Sequence, residues 1–482
     1  MTFILCSIII TSVLGLFQVF SIGDFGLPPI EFAFLLVFGY ALHHTVWLGR
    51  PFRVPRRLET IAMAAVLLVC AASSITPLLS GNSPMVSQGL KTLLHLLYIW
   101  LTAWVLIALP ITSRQWMTAL RVHFVVSFII VAFAIYQLPA RTFEWPLGWI
   151  EVTNQSFRKL DKEAAEMGQL ALRFADFYRA TSVFSEPSAL AGYSAMSLMM
   201  MLVPLFRRSH TIIKSKAFLF LSIGCTTIAL FLSFSMSGLV LVGATLVLSV
   251  ILYPRTAPKR LAIFLSVTIM TLVASDYAIE KYFNISVLTL FSTRVENLVS
   301  GKATSQGSDI IGESVTMRTS DYWVSGKVFE SAPILGVGNG NFGKSELAKR
   351  YFTKYPSTLY GSILGEMGVV GFSIVVFFLF LLYARSQHAE RQWTRLRLRE
   401  DSDLERLLPL IPFRMVLVIV VGTSGSSLIS AIFWFDVVIV LSTLGLARQA
   451  LGIEQVHEVF IVRRAWRDRF LENKKVPKFL GE

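Results

Sequence analysis

Charge is what this chain has least of. Lys, Arg, Asp and Glu make up 15% of its 482 residues, against about a quarter in an ordinary soluble domain. Aliphatic and aromatic residues fill the deficit, bringing the hydrophobic share to 54% and the mean hydropathy to +0.63. A chain of soluble domains is excluded. Cysteine is scarce: Cys6, Cys70 and Cys225 each fall inside an apolar run, which gives no disulfide framework and no zinc-type spacing. Histidine is missing from the two long polar segments, 139–187 and 277–357, which removes the commonest acid–base group there. Those segments also hold no Asp-rich cluster of the kind that binds a catalytic divalent metal. The N-terminus lacks a basic n-region and a small-residue cleavage site, so a retained first helix is expected rather than a signal peptide. The net charge of +14 lies largely beside apolar runs, where it reports orientation rather than a nucleic-acid partner.

What is present is a series of apolar runs of roughly 18 to 25 residues, each long enough to cross a bilayer. They predict an all-α, polytopic transmembrane bundle with spans at 3–22, 27–48, 59–80, 89–110, 117–138, 188–206, 216–234, 236–253, 261–276, 358–384, 409–429 and 431–449. With the N-terminus cytoplasmic, the inside loops collect Arg50, Arg53, Arg56, Arg57, Arg114, Arg207, Arg208, Lys214, Lys216, Arg255, Lys259, Arg260, Arg385 and Arg391, while 23–26 and 81–88 carry no Lys or Arg. The positive-inside rule therefore puts both termini in the cytoplasm and both long segments outside. The expected organisation is membrane helices over 1–138, a first outer loop over 139–187 and central helices over 188–276. A large outer loop over 277–357, C-terminal helices over 358–449 and a basic cytoplasmic tail over 450–482 follow.

In the first outer loop Phe157, Leu160, Ala164, Met167, Ala171, Phe174 and Tyr178 recur at helical spacing. That pattern predicts an amphipathic helix, lying on the membrane surface or packed on its own loop. The second reads as a helix over 314–331 holding Arg318 and Trp323, then the glycine-rich run Pro333 to Gly343. The glycines permit positive φ and close backbone approach, including amide nests, and a simple turn is the alternative. The run does not follow the strand of a βαβ unit, so no nucleotide is expected. Glu366 sits within a predicted span, a costly position that marks a candidate functional residue. Gly368 and Gly371 follow it and suit close helix packing.

Arg179 and Glu186 stand seven residues apart at the mouth of the helix that begins near Ala189. Pro187 is tolerated in a first turn, and Ser185 and Ser188 are candidate caps. Arg179, Arg294 and Arg318, all outside, suit a di-anionic group, since guanidinium forks bind phosphate oxygens bidentately. Glu186 is the nearest carboxylate able to take a proton from a sugar hydroxyl. The arginines would then neutralise a leaving pyrophosphate in place of a metal.

These residues carry a resemblance. The run Arg179…Phe184-Ser-Glu186-Pro187, Arg318 with Trp323, Pro333-Ile-Leu-Gly336-Val-Gly338-Asn339-Gly340-Asn341-Phe342, and Glu366-Met-Gly368-Val-Val-Gly371 resemble, in order, the motifs of bacterial O-antigen polymerases and O-antigen ligases. The likeness covers roughly residues 175 to 375, the stretch those motifs span; the spacing of single motifs is weak and their order is the stronger signal. It implies a periplasmic active site at the inner membrane, an undecaprenyl-pyrophosphate-linked oligosaccharide as donor and acceptor, and no cofactor. A chain-length regulator protein is a further expected partner. Arg179 and Arg318 match the arginines that hold pyrophosphate. Arg294, Gly336, Gly338, Asn339, Gly340, Asn341 and Glu366 are expected to bind substrate. Two departures favour the polymerase branch. Ser357-Thr358 stand where ligases carry a His-Asn/Ser/Gln pair, and Glu186 stands where ligases tend to have Asn. The ligase remains one alternative and a transporter or flippase another. The latter predicts charges deep in several spans or two repeated halves with broken helices, and no such repeat is visible.

Overall fold

The computed structural model describes residues 1–22, 25–50, 52–53, 57–154, 169, 173–174, 177–207, 210–254, 257–283, 286, 288–289, 292, 313–351, 358–396, 402–423, 427–452 and 458–459. Helices dominate. In chain order they are α1 (Thr2–Ser12), α2 (Pro29–Leu42, continued by a π turn His43–Trp47), α3 (Leu58–Ser73), α4 (Ile75–Leu79), α5 (Ser83–Ala108) and α6 (Ser113–Thr142). There follow α7 (Pro187–Arg207), α8 (Lys216–Leu232), α9 (Met236–Leu252), α10 (Ala257–Phe283), α11 (Glu313–Ser331), α12 (Glu346–Arg350), α13 (Leu359–Leu396), α14 (Ser402–Leu407), α15 (Leu410–Val421) and α16 (Ala431–Ala450). Among the described residues sheet is confined to antiparallel pairs of two- or three-residue strands, β1 (Phe20–Ile22) with β2 (Phe25–Leu27), β3 (Phe52–Arg53) with β6 (Glu458–Val459), and β4 (Arg173–Phe174) with β5 (Phe177–Tyr178).

Among the described residues eight helices are long and apolar enough to cross a membrane, from Pro29–Trp47 to Ala431–Ala450. The four remaining predicted spans are helices too, but shorter: α1, α8, α9 and α15. Local chemistry sets many ends. Asn82 accepts the Met85 amide at the start of α5, Thr112 and Gln115 form a reciprocal box at the start of α6, and Ser215 caps α8.

Two expectations are corrected. The span expected over 3–22 stops at Ser12, where Thr11 and Ser12 turn their hydroxyls back onto the carbonyls of Ser7 and Ile9. Beyond it, Asn154 takes the carbonyls of Gly15 and Leu16, and the chain leaves the helix with its polar groups satisfied. The amphipathic helix expected through Tyr178 does not reach that residue. Phe174 pairs with Phe177 and Arg173 with Tyr178, as suits aromatic side chains on extended backbone, and Trp149 packs edge-on to Tyr178 at 4.9 Å. Most of that segment lies outside the described residues.

The spans pack in pairs, α3 on α13, α7 on α8 and α9, and α1 and α8 on α6, while α16 is buried over most of its length. Helices α8 and α9 both lean on α7, joined by a turn in which Phe234 has φ 48°. One end of the bundle is tied by ions: Glu59 meets Arg448 at 2.6 Å and Arg385 at 3.3 Å, and Arg207 meets Glu390 at 3.1 Å. The opposite end, where α5, α7, α9 and α13 begin, carries the long loops.

Inside the bundle, Arg414 Nε donates to Asp436 Oδ1 at 2.7 Å, and both residues are buried. Removing one partner strands the other in an apolar medium. Asp436→Leu is therefore expected to destabilise the protein by about 3–5 kcal/mol, whereas Arg414→Met with Asp436→Leu recovers most of the loss; thermal unfolding in detergent measures both.

Candidate functional site

Two assemblies occupy the loop-bearing end. The first surrounds Arg179. Its guanidinium is buried, with Nε on the Ser233 carbonyl at 2.8 Å and Nη2 on the Phe234 carbonyl at 3.1 Å. The Ala180 amide donates to Leu232 O at 3.1 Å. Residues 179–184 thus close over the α8–α9 turn and satisfy carbonyls that the end of α8 leaves without helical partners.

Arg141, near the end of α6, holds this strap from behind. It donates to the carbonyls of Gly148 (2.8 Å) and Arg179 (2.6 Å), to Gln169 Oε1 and to Thr181 Oγ1 (2.7 Å each), and lies 4.3 Å from the Trp149 ring centre. One turn earlier Gln137 accepts the amides of Thr181 and Ser182, and Gln169 donates to the carbonyls of Ser182 and Phe184. Ser182, at φ 52°, is a strained non-glycine position held by these bonds. The sequence reading missed Arg141 and Gln137. Their four-residue spacing on one face of an otherwise apolar helix was the available signal.

Glu186 follows the strap. Its side chain is exposed, and it precedes Pro187, the first residue of α7. The Ser188 hydroxyl donates to Glu186 Oε1 at 2.6 Å, and the Glu186 carbonyl accepts the Ala189 and Leu190 amides. The cap is therefore at Glu186 rather than at Ser185 or Ser188, and its carboxylate is presented outward.

The second assembly joins the glycine run to α13. That helix is broken at Gly368 (φ 63°, ψ −164°). A break in a span frees carbonyls on one side and amides on the other, and lipid offers them no partner. The glycine run supplies all four. Val337 N–H donates to Gly365 O (3.0 Å) and Gly338 N–H to Glu366 O (2.9 Å), while Val369 N–H donates to Pro333 O (2.9 Å) and Val370 N–H to Ile334 O (3.4 Å). Such backbone proximity requires glycine. A Cβ on Gly336 would sit 2.2 Å from the Glu366 carbonyl carbon, and one on Gly368 2.4 Å from Ile334 O. The Glu366 carboxylate accepts the Phe342 amide at 3.3 Å.

The run's far side lies on α5. Asn339 and Asn341 are 3% and 0% exposed, and Asn341 faces Gly89. The Gly336, Gly338 and Asn341 amides already have carbonyl partners, so the run builds a wall rather than an open amide nest. Arg318 stands on α11, whose Val324 and Val328 share a buried cluster with Val337, Phe342 and Met85. The end of α15 links this assembly to the bundle: Tyr322 donates to Thr423 O at 3.2 Å and the Leu359 amide to Gly422 O at 2.9 Å. Thr358 is buried, its hydroxyl accepting the Gly361 amide at 3.1 Å. Arg294 and Ser357 lie outside the described residues.

If the break is a framework, its glycines are intolerant. Gly368→Ala or Gly336→Ala is expected to cost several kcal/mol and to expose the Val337 and Gly338 amides to hydrogen exchange. Gly192→Ala, on α7 with open space around its Cβ position, is expected to be neutral or stabilising by about 0.5–1 kcal/mol. Thermal unfolding with exchange mass spectrometry separates the two.

Residues 217–386 match the family model described as O-Antigen ligase, a stretch running from α8 into α13 that includes the α8–α9 turn, the Arg318 helix, the glycine run and the break. No curated protein matches the chain. This polytopic helical membrane protein is thus similar, over that central segment, to the O-antigen ligase family.

Proposed function

We propose that this protein is a polysaccharide polymerase of the inner membrane. It transfers a growing glycan from undecaprenyl pyrophosphate onto a lipid-linked repeat unit at the periplasmic face, making O-antigen, capsule or exopolysaccharide. The observation that carries this reading is the exposed Glu186 carboxylate at the head of α7, beside the absence of histidine at Ser357-Thr358. Ser357 stands where ligases carry histidine, and Thr358 beside it is buried and spends its hydroxyl on the Gly361 amide. Glu186, the residue that departs toward the polymerase pattern, presents an exposed carboxylate.

In this proposal Arg179, Arg294 and Arg318 hold the donor's pyrophosphate. Arg179 acts from within the wall, its charge fixed by the Ser233 and Phe234 carbonyls before any anion arrives, which is how a preorganised site stabilises charge without reorganising. Glu186 orients the acceptor hydroxyl. Gly336, Gly338, Asn339, Gly340, Asn341 and Glu366 shape the wall against which the sugars lie. No metal or cofactor takes part in this scheme.

A ligase acting on lipid A-core is the second reading, favoured by the similarity of residues 217–386 to the O-antigen ligase family. Purified protein given lipid-linked repeat units extracted from cells lacking it, with chelator present, is expected to build a ladder at repeat-unit intervals. Arg318→Ala is expected to lose it, by about 100-fold or more in rate. Transfer to lipid A-core, with no ladder, would replace the polymerase by the ligase.

A further inference from the structure

Both long loops lack histidine, yet the fold brings an imidazole to the same end of the bundle. His95 Nε2 lies 2.7 Å from Glu31 Oε1, and the Tyr98 hydroxyl donates to the Glu31 carbonyl at 2.5 Å. By sequence His95 looks deep, since it is midway along α5. Glu31, however, is in the first turn of α2. The Glu31 contact sets His95 level with the first turn of α2.

The first turns of α5 meet the glycine run. A Cβ on Gly340 would touch Thr92 Oγ1 at 2.1 Å, and Gly89 faces Asn341. Met85 packs in the cluster with Val324 and Val328 of the Arg318 helix. Thr92 is one turn before His95. The imidazole side chain is 23% exposed over a carboxylate that is 10% exposed, a reachable base above an enclosed partner. Lys91, one turn earlier on α5, is exposed, and Tyr98 is a further ionisable group at the pair.

We propose that the Glu31–His95 pair is the proton acceptor for the attacking sugar hydroxyl, an inference that rests on the polymerase reading. The hydroxyl oxygen bonds to the donor's anomeric carbon as that carbon's bond to the pyrophosphate oxygen breaks. The pyrophosphate departs with the bonding electrons, and the hydroxyl proton passes to the imidazole. Glu31 orients the ring and stabilises the imidazolium, the division of labour of a carboxylate–histidine pair. Glu186 keeps its orienting role.

The test measures initial rates with extracted lipid-linked repeat units for wild type, His95→Ala and Glu31→Gln, with thermal unfolding of each. His95→Ala is expected to lose about 100-fold or more in kcat with KM little changed, and free imidazole is expected to restore part of it. Glu31→Gln is expected to lose about 10-fold or more, as a variant that keeps the ring but misorients it. Wild-type rates in His95→Ala, or a loss that follows thermal stability and ignores imidazole, would overturn this inference and leave the polymerase standing. Wild-type protein that builds no ladder would overturn the polymerase reading and this inference with it.

Discussion

A helix cannot be broken within a bilayer unless something other than lipid completes its hydrogen bonds, and the loop-bearing end of this protein is built on that constraint. Gly368 turns α13 out of helical geometry, and Pro333, Ile334, Val337 and Gly338 answer the four groups it exposes. The run cannot drift away without stranding those groups. Its far side is likewise fixed, by the close approach of Gly340 to Thr92 and of Gly338 to Pro77. The rigid wall that results spans from α4 and α5 to α13, and the Arg318 helix packs on it.

The second assembly follows the same logic with side chains instead of backbone. The α8–α9 turn leaves carbonyls that Arg179 takes, and the strap bearing Arg179 is held by Arg141, Gln137 and Gln169. Guanidinium groups suit both tasks because each offers several donors in a fixed plane. The consequence is that Glu186 leaves the strap at a defined place, as the last residue before α7. Charge at the other end of the bundle plays a different part. There Glu59 and Glu390 fasten helix ends to arginines that also mark the basic loops.

Much of this was legible in the sequence, and the rest fails for identifiable reasons. Apolar runs located the helices because burial in lipid demands them, and Pro187 marked the start of α7. The glycine run was read as a nest or a turn. Its true partner, the α13 break, could not be inferred because Gly368 lies inside an unbroken apolar run whose hydropathy hides a change in backbone geometry. Asn339 and Asn341 read as substrate ligands from their loop position, whereas contact with Gly89 encloses them. His95 was passed over because its partner, Glu31, is far away in sequence and only packing of α2 on α5 joins them. Arg141 escaped notice as one cation at the end of a span, its many partners lying far off in sequence.

The central claim is that one end of the bundle, walled by the broken helix and the strap, receives a lipid-linked pyrophosphate. A photoreactive undecaprenyl-pyrophosphate sugar, cross-linked in membranes and mapped by mass spectrometry, tests it most directly. The account predicts adducts in 179–188, in 313–342 and in the first turns of α5. Adducts confined to the opposite end, around the Glu59 and Glu390 ion pairs, would contradict it.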